Sequence, residues 1–80
     1  MSKESSKGFG QWLRGLRAEL RQTQEEVATA VGCSPHLIAS WEKEERLPAK
    51  VVSVVAIAKW SGLSGTEVFE IVSGSIDERA

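Results

Sequence analysis

Few side chains in this 80-residue chain are equipped for covalent or acid–base chemistry. His36 is the only histidine, and Cys33, three residues earlier, is the only cysteine. Two such groups are too few for zinc, whose structural sites take four ligands. Neither a Ser/His/Asp set on plausible elements nor a carboxylate pair flanking an evident cleft can be found, and no glycine-rich phosphate loop occurs. The chain is therefore not expected to be an enzyme, and no cofactor or metal is expected. What remains is charge. Lys7, Arg14 and Arg21 recur every seven residues and would line up along one helix face. Such a stripe is either a solvated surface or a contact for a polyanion. Residues 1–24 carry a net +3 and residues 25–80 a net −4, giving −1 for the whole chain. The asymmetry permits a basic face on a nearly neutral protein without requiring one.

The elements that would position these groups are legible from caps and periodicity. Between Thr23 and Glu42 the chain reads T-Q-E-E-V-A-T-A-V-G-C-S-P-H-L-I-A-S-W-E. Thr23 and Glu26 form a capping box, Val27, Ala30 and Val31 recur at helical spacing, and Gly32 supplies a left-handed stop. Ser34 is a second N-cap with Pro35 at the first helical position, where a missing N–H costs nothing. Leu37, Ile38 and Trp41 follow. Two short helices joined by a glycine-containing turn of about three residues make a helix-turn-helix.

Around this unit, Phe9, Leu13, Leu16 and Leu20 predict a first helix from Phe9 to Arg21 with one apolar stripe. Gly15 weakens it by ~1 kcal/mol relative to alanine, so packing must hold it. Trp12 lies beside the stripe, either half-buried or open to a partner. A charged loop from Lys43 to Pro48 leads into V-V-S-V-V-A-I. That run is β-branched, but Val51, Val54, Val55 and Ala58 fit helical spacing, which predicts a helix from Lys50 to Ser61 closed by Gly62. Ser64 and Glu67 form another capping box, opening a short fifth helix with Val68, Phe69, Ile71 and Val72. Ser73 and Gly74 are expected to end it. The expected organisation is a polar arm over 1–8, one domain over 9–73 and a polar tail over 74–80.

Size and composition exclude much else. A chain this short buries only somewhat more than ~60 % of its unfolded surface, which leaves little room for a deep cleft. One cysteine provides no internal disulfide, and the first seven residues lack the apolar core of a signal peptide. The longest apolar run, Val51 to Ile57, is too short to span a bilayer. A soluble cytoplasmic protein with no membrane association is expected.

Taken together, the first helix, T-Q-E-E-V-A, G-C-S, I-A-S-W-E, the loop with Pro48, I-A-K and G-L-S resemble the Cro and lambda-repressor type (XRE family) of helix-turn-helix domain over residues 9–72. The resemblance implies an all-α, five-helix DNA-binding domain that lays its third helix in the major groove. It also implies a transcriptional regulator, most simply a repressor, acting as a homodimer on a palindromic operator in double-stranded DNA. By position, Pro35, His36, Leu37 and Ser40 would meet base edges. Arg14, Gln24, Ser34, Lys43 and Arg46 would hold phosphates. Arg17 and Glu42 match a structural ion pair. His36 and Ser40 can each donate or accept, Leu37 could meet a thymine methyl, and the cations add affinity without sequence information.

Three departures from the family pattern bear on this expectation. Arg21-Gln22 stands where Gly-Leu is common, Glu44 and Glu45 occupy a loop where basic residues are usual, and Pro35 replaces a polar side chain. Glu44 and Glu45, with the −1 net charge and the tryptophans that could be exposed, motivate an alternative, an interaction module on the same fold (an antitoxin or accessory subunit) whose DNA binding is weak or depends on a protein partner. Trp41 and Cys33 are expected in the core, the thiol packing as a small hydrophobe. Trp60, Phe69, Ile71 and Val72, with Ile76 beyond them, are the expected dimer surface.

Overall fold

The computed structural model describes residues 8–79, and among these helices are the only regular secondary structure. The elements are α1 (Phe9–Glu19), α2 (Gln24–Val31), α3 (Pro35–Glu42), α4 (Val51–Ser61) and α5 (Gly65–Arg79). The α3 helix packs against α1 and α2, α4 against α2 and α5, and α5 returns to α1, so the helices close a circuit. Inside it lie Phe9, Leu13, Val27, Ile38, Trp41, Ile57, Val68 and Val72, all nearly inaccessible. Phe9 meets Trp41 edge-on, with ring centroids 6.1 Å apart, the arrangement favoured by aromatic quadrupoles.

The predicted caps are in place. Thr23 Oγ1 accepts from Glu26 N–H at 3.0 Å while Glu26 Oε1 accepts from Thr23 N–H at 2.8 Å. Ser64 and Glu67 repeat the exchange at 3.1 and 2.9 Å. Gly32 ends α2 at φ 87°, a left-handed conformation that costs glycine nothing. The valine-rich segment is a helix. Its inward row, however, is Val54, Ile57 and Ala58, whereas Val51 and Val55 face outward.

Three boundaries differ from expectation. The first helix stops at Glu19, and Arg21 takes φ 58°, so the Lys7–Arg14–Arg21 stripe is broken. Lys7 lies outside the described residues. Gln22 then pins this corner, its side-chain oxygen accepting the Trp60 indole N–H at 2.9 Å. The expected polar tail from 74 onward is instead helical through Arg79. Ser75 is buried, and its hydroxyl accepts the Phe9 N–H. This tertiary bond anchors α5 beyond Gly74. Gly8, placed in the expected arm, is buried and caps α1, and the rest of that arm lies outside the described residues.

That end of α1 lacks a side-chain cap of its own. Its first N–H groups are satisfied from a distance, Phe9 by Ser75 and Gly10 by Glu44 Oε2 at 2.9 Å. A Cβ on Gly10 would lie 2.5 Å from the carbonyl oxygens of Trp41 and Glu42, so glycine is what permits α1 to sit on α3.

Candidate nucleic-acid interface

The face that α3 turns outward follows from helical spacing. Ser34 Oγ accepts the Leu37 N–H at 3.2 Å and starts the helix. Pro35 and His36 in its first turn are exposed. Ala39 and then Lys43 continue that row one and two turns on. Two expected base-reading residues do not belong to it. Ser40 is only 7 % exposed, and Leu37 packs against the core. Both lie on the side of α3 that the helix must bury against its neighbours. Ala39, half-buried in this row, was not among the expected residues, because spacing from His36 points to Ser40 as readily and only packing separates the two.

Beside this row lies a hollow of about 190 Å³ lined by Arg14, Arg17, Gln24, Ala39, Glu42 and Lys43. Arg14 comes from α1, Gln24 from the first turn of α2, and Lys43 from the end of α3. Glu42 organises them. Arg17 Nε and Nη2 donate to its two oxygens at 2.6 and 3.1 Å, a bidentate fork. Gln24 Nε2 donates to Glu42 Oε1 at 3.1 Å, and Arg17 Nη1 donates to the Gln22 carbonyl at 3.0 Å. The Glu42 side chain is 6 % exposed and that of Arg17 20 %. The expected structural pair is therefore partly buried, Glu42 more deeply than Arg17. Bonding to Glu42 raises the Arg17 guanidinium above its ordinary value, against the opposing effect of burial. With Arg17 and Glu42 occupied by each other, Arg14 and Lys43 are the exposed cations at this rim.

Arg46 is exposed but stands elsewhere, at a second hollow with Leu37, Leu47, Pro48 and Lys50. Lys50, the N-cap of α4, is a cation that the sequence reading passed over. The loop is less acidic than it reads. Glu44 turns back to accept the Gly10 N–H, at φ 59°, which leaves Glu45 as the loop's exposed carboxylate. The helix ends also differ electrostatically. Glu25 and Glu26 sit in the first turn of α2, whereas that of α3 has no acidic residue. Helix dipoles draw anions to amino ends, so α3 offers the more favourable one.

The chain matches no family model, no curated protein and no solved structure.

The expected dimer surface does not form one face. Val72 is core at 5 % exposure, Trp60 is half-buried and bonded to Gln22, and Ile71 sits towards α1 in a hollow with Trp12 and Leu16. Phe69 alone of the four is well exposed. Cys33 is half-buried against the core, and burial pushes its thiol up. Among the described residues no helix is long and apolar enough to cross a membrane.

Proposed function

We propose that this protein is a sequence-specific DNA-binding regulator of the Cro and lambda-repressor type, a repressor that reads the major groove with α3 as a homodimer. The supporting observation is the row Pro35–His36–Ala39–Lys43, exposed at Pro35, His36 and Lys43 and half-buried at Ala39, beside a rim on which Arg14 and Lys43 are exposed. A helix of this width enters the major groove, where an imidazole edge and small apolar side chains meet base edges. Arg14 and Lys43 would flank it on phosphates, as would the N–H groups at the start of α3. Half-sites would lie about 10 bp apart.

Selection of random duplexes by the purified protein, followed by mobility shift, tests this reading. His36→Ala should relax preference at one base. Arg14→Ala should weaken every duplex alike and flatten the salt slope by about one unit. Absence of any duplex binding at low salt rejects the proposal. A partner-dependent module is favoured by one observation, the exposed Glu25 and Glu26 in the first turn of α2 and Glu45 in the loop after α3. In that case binding would appear only when a second protein is added.

A further inference from the structure

With Ser40 buried and Pro35 apolar, His36 is the one neutral polar side chain on the outward row of α3. A second polar group comes from the neighbouring helix. Gln24, in the first turn of α2, lines the same hollow as Ala39 and Lys43 of that row. We propose that Gln24 is a base-reading residue whose amide is locked by Glu42 so as to recognise adenine in the major groove. This role rests on the regulator reading, and it moves Gln24 from the phosphate backbone to a base edge.

The lock follows from charge. Gln24 Nε2 donates to Glu42 Oε1 at 3.1 Å, and Glu42 is itself held by the Arg17 fork at 2.6 and 3.1 Å. An ionised carboxylate only accepts, so turning the amide over would set Gln24 Oε1 against Glu42 and exchange a bond for a repulsion. Of the two hydrogens on Nε2, the one pointing away from Oε1 reaches Glu42 without drawing that oxygen towards the same charge. What is left is an edge with Oε1 beside the second N–H. Among the described residues Oε1 accepts no bond, and the side chain is half-buried. An amide held in advance spares the rotamer entropy that a free glutamine loses on binding.

That edge carries one acceptor next to one donor. A phosphate offers acceptors alone, so Oε1 would oppose it, and the exposed Arg14 and Lys43 on the same rim suit it better. Guanine presents two acceptors to the major groove, thymine an acceptor and a methyl, and cytosine a donor. Adenine presents its N6 amine beside N7, a donor next to an acceptor, and so satisfies both atoms of the Gln24 edge. The labour is then divided by chemistry. Cations hold phosphates, while His36 of α3 and Gln24 of α2 read bases.

Selection of random duplexes by the full chain, followed by titration of the selected site, is the test. Gln24→Leu should erase the preference at one adenine of each half-site and keep the others. With the unaltered protein, two analogues are placed in turn at every adenine of the site: 7-deazaadenine, which lacks N7, and purine, which lacks the N6 amine. At the adenine read by Gln24 each should bind roughly tenfold more weakly, within the usual discrimination of a bidentate pair. In the free protein, NMR should show one Gln24 Nε2 hydrogen exchanging with water more slowly than the other, as the bond to Glu42 requires. Equal exchange overturns the lock. A site whose adenines all tolerate both analogues overturns the inference, as does a Gln24→Leu variant that weakens every duplex alike or loses preference for a different base. Selective binding without such an adenine defeats this inference alone, whereas absence of binding to any duplex defeats the regulator reading and this inference with it.

Discussion

Replacing Glu42 with alanine should destabilise the fold more than any other single loss of a surface-named charge. The carboxylate is 6 % exposed and accepts three donors, two from Arg17 and one from Gln24. Removing one member of a buried pair typically costs about 3–5 kcal/mol, since the other charge is left desolvated. Arg17 keeps 20 % of its side chain exposed and retains the Gln22 carbonyl. The expected loss is therefore at the lower end, about 3 kcal/mol. For 80 residues total stability is on the order of 4–12 kcal/mol, so the effect is large. Urea unfolding followed by tryptophan fluorescence would read it as a lower midpoint with unchanged slope. Arg17→Met and the double variant complete a cycle, and the double variant should be less damaged than Glu42→Ala alone, because no unpaired charge remains. Because the Arg17 pKa is raised on folding, its stabilisation is complete below the ordinary guanidinium value and is lost only as pH rises beyond it. This contribution should be flat around neutrality. A Glu42→Ala loss below about 1 kcal/mol, the size of an exposed ion pair, would refute the reasoning.

Two glycines of α1 should respond with opposite signs. Gly10→Ala should cost about 1–3 kcal/mol or more through overpacking against backbone, whereas Gly15→Ala, with open space around it, should gain up to about 1 kcal/mol. Thermal melts of the two variants check the contrast, and equal signs would contradict the α1–α3 packing. Arg21→Gly should raise stability by about 0.5–1 kcal/mol by relieving the φ 58° conformation; a lower melting temperature would count against it. Burial raises the Cys33 thiol pKa, so its contribution is complete below the ordinary thiol value and declines as pH rises through it. Alkylation at mildly alkaline pH should accordingly run slower than in a short peptide, and equal rates would show the thiol to be solvated.

Local chemistry determined a good deal from the sequence alone. Thr23/Glu26, Ser34, Gly32, Ser64/Glu67 and Gly62 place helix ends through bonds made within a few residues, so the all-helical outline was readable one segment at a time. The buried positions of Trp41, Ile38 and Phe9 followed from spacing for the same reason. Only the tertiary structure decided which side of α3 is free, because Ser40 and His36 share a row in the sequence until α1 and its neighbours cover the former. It also decided where α5 ends, through a bond from Phe9 to Ser75 across 66 positions. Likewise, Glu44 reads as an acidic loop residue until α1 arrives to be capped by it. In each case the deciding partner is remote in the chain, and no periodicity records it.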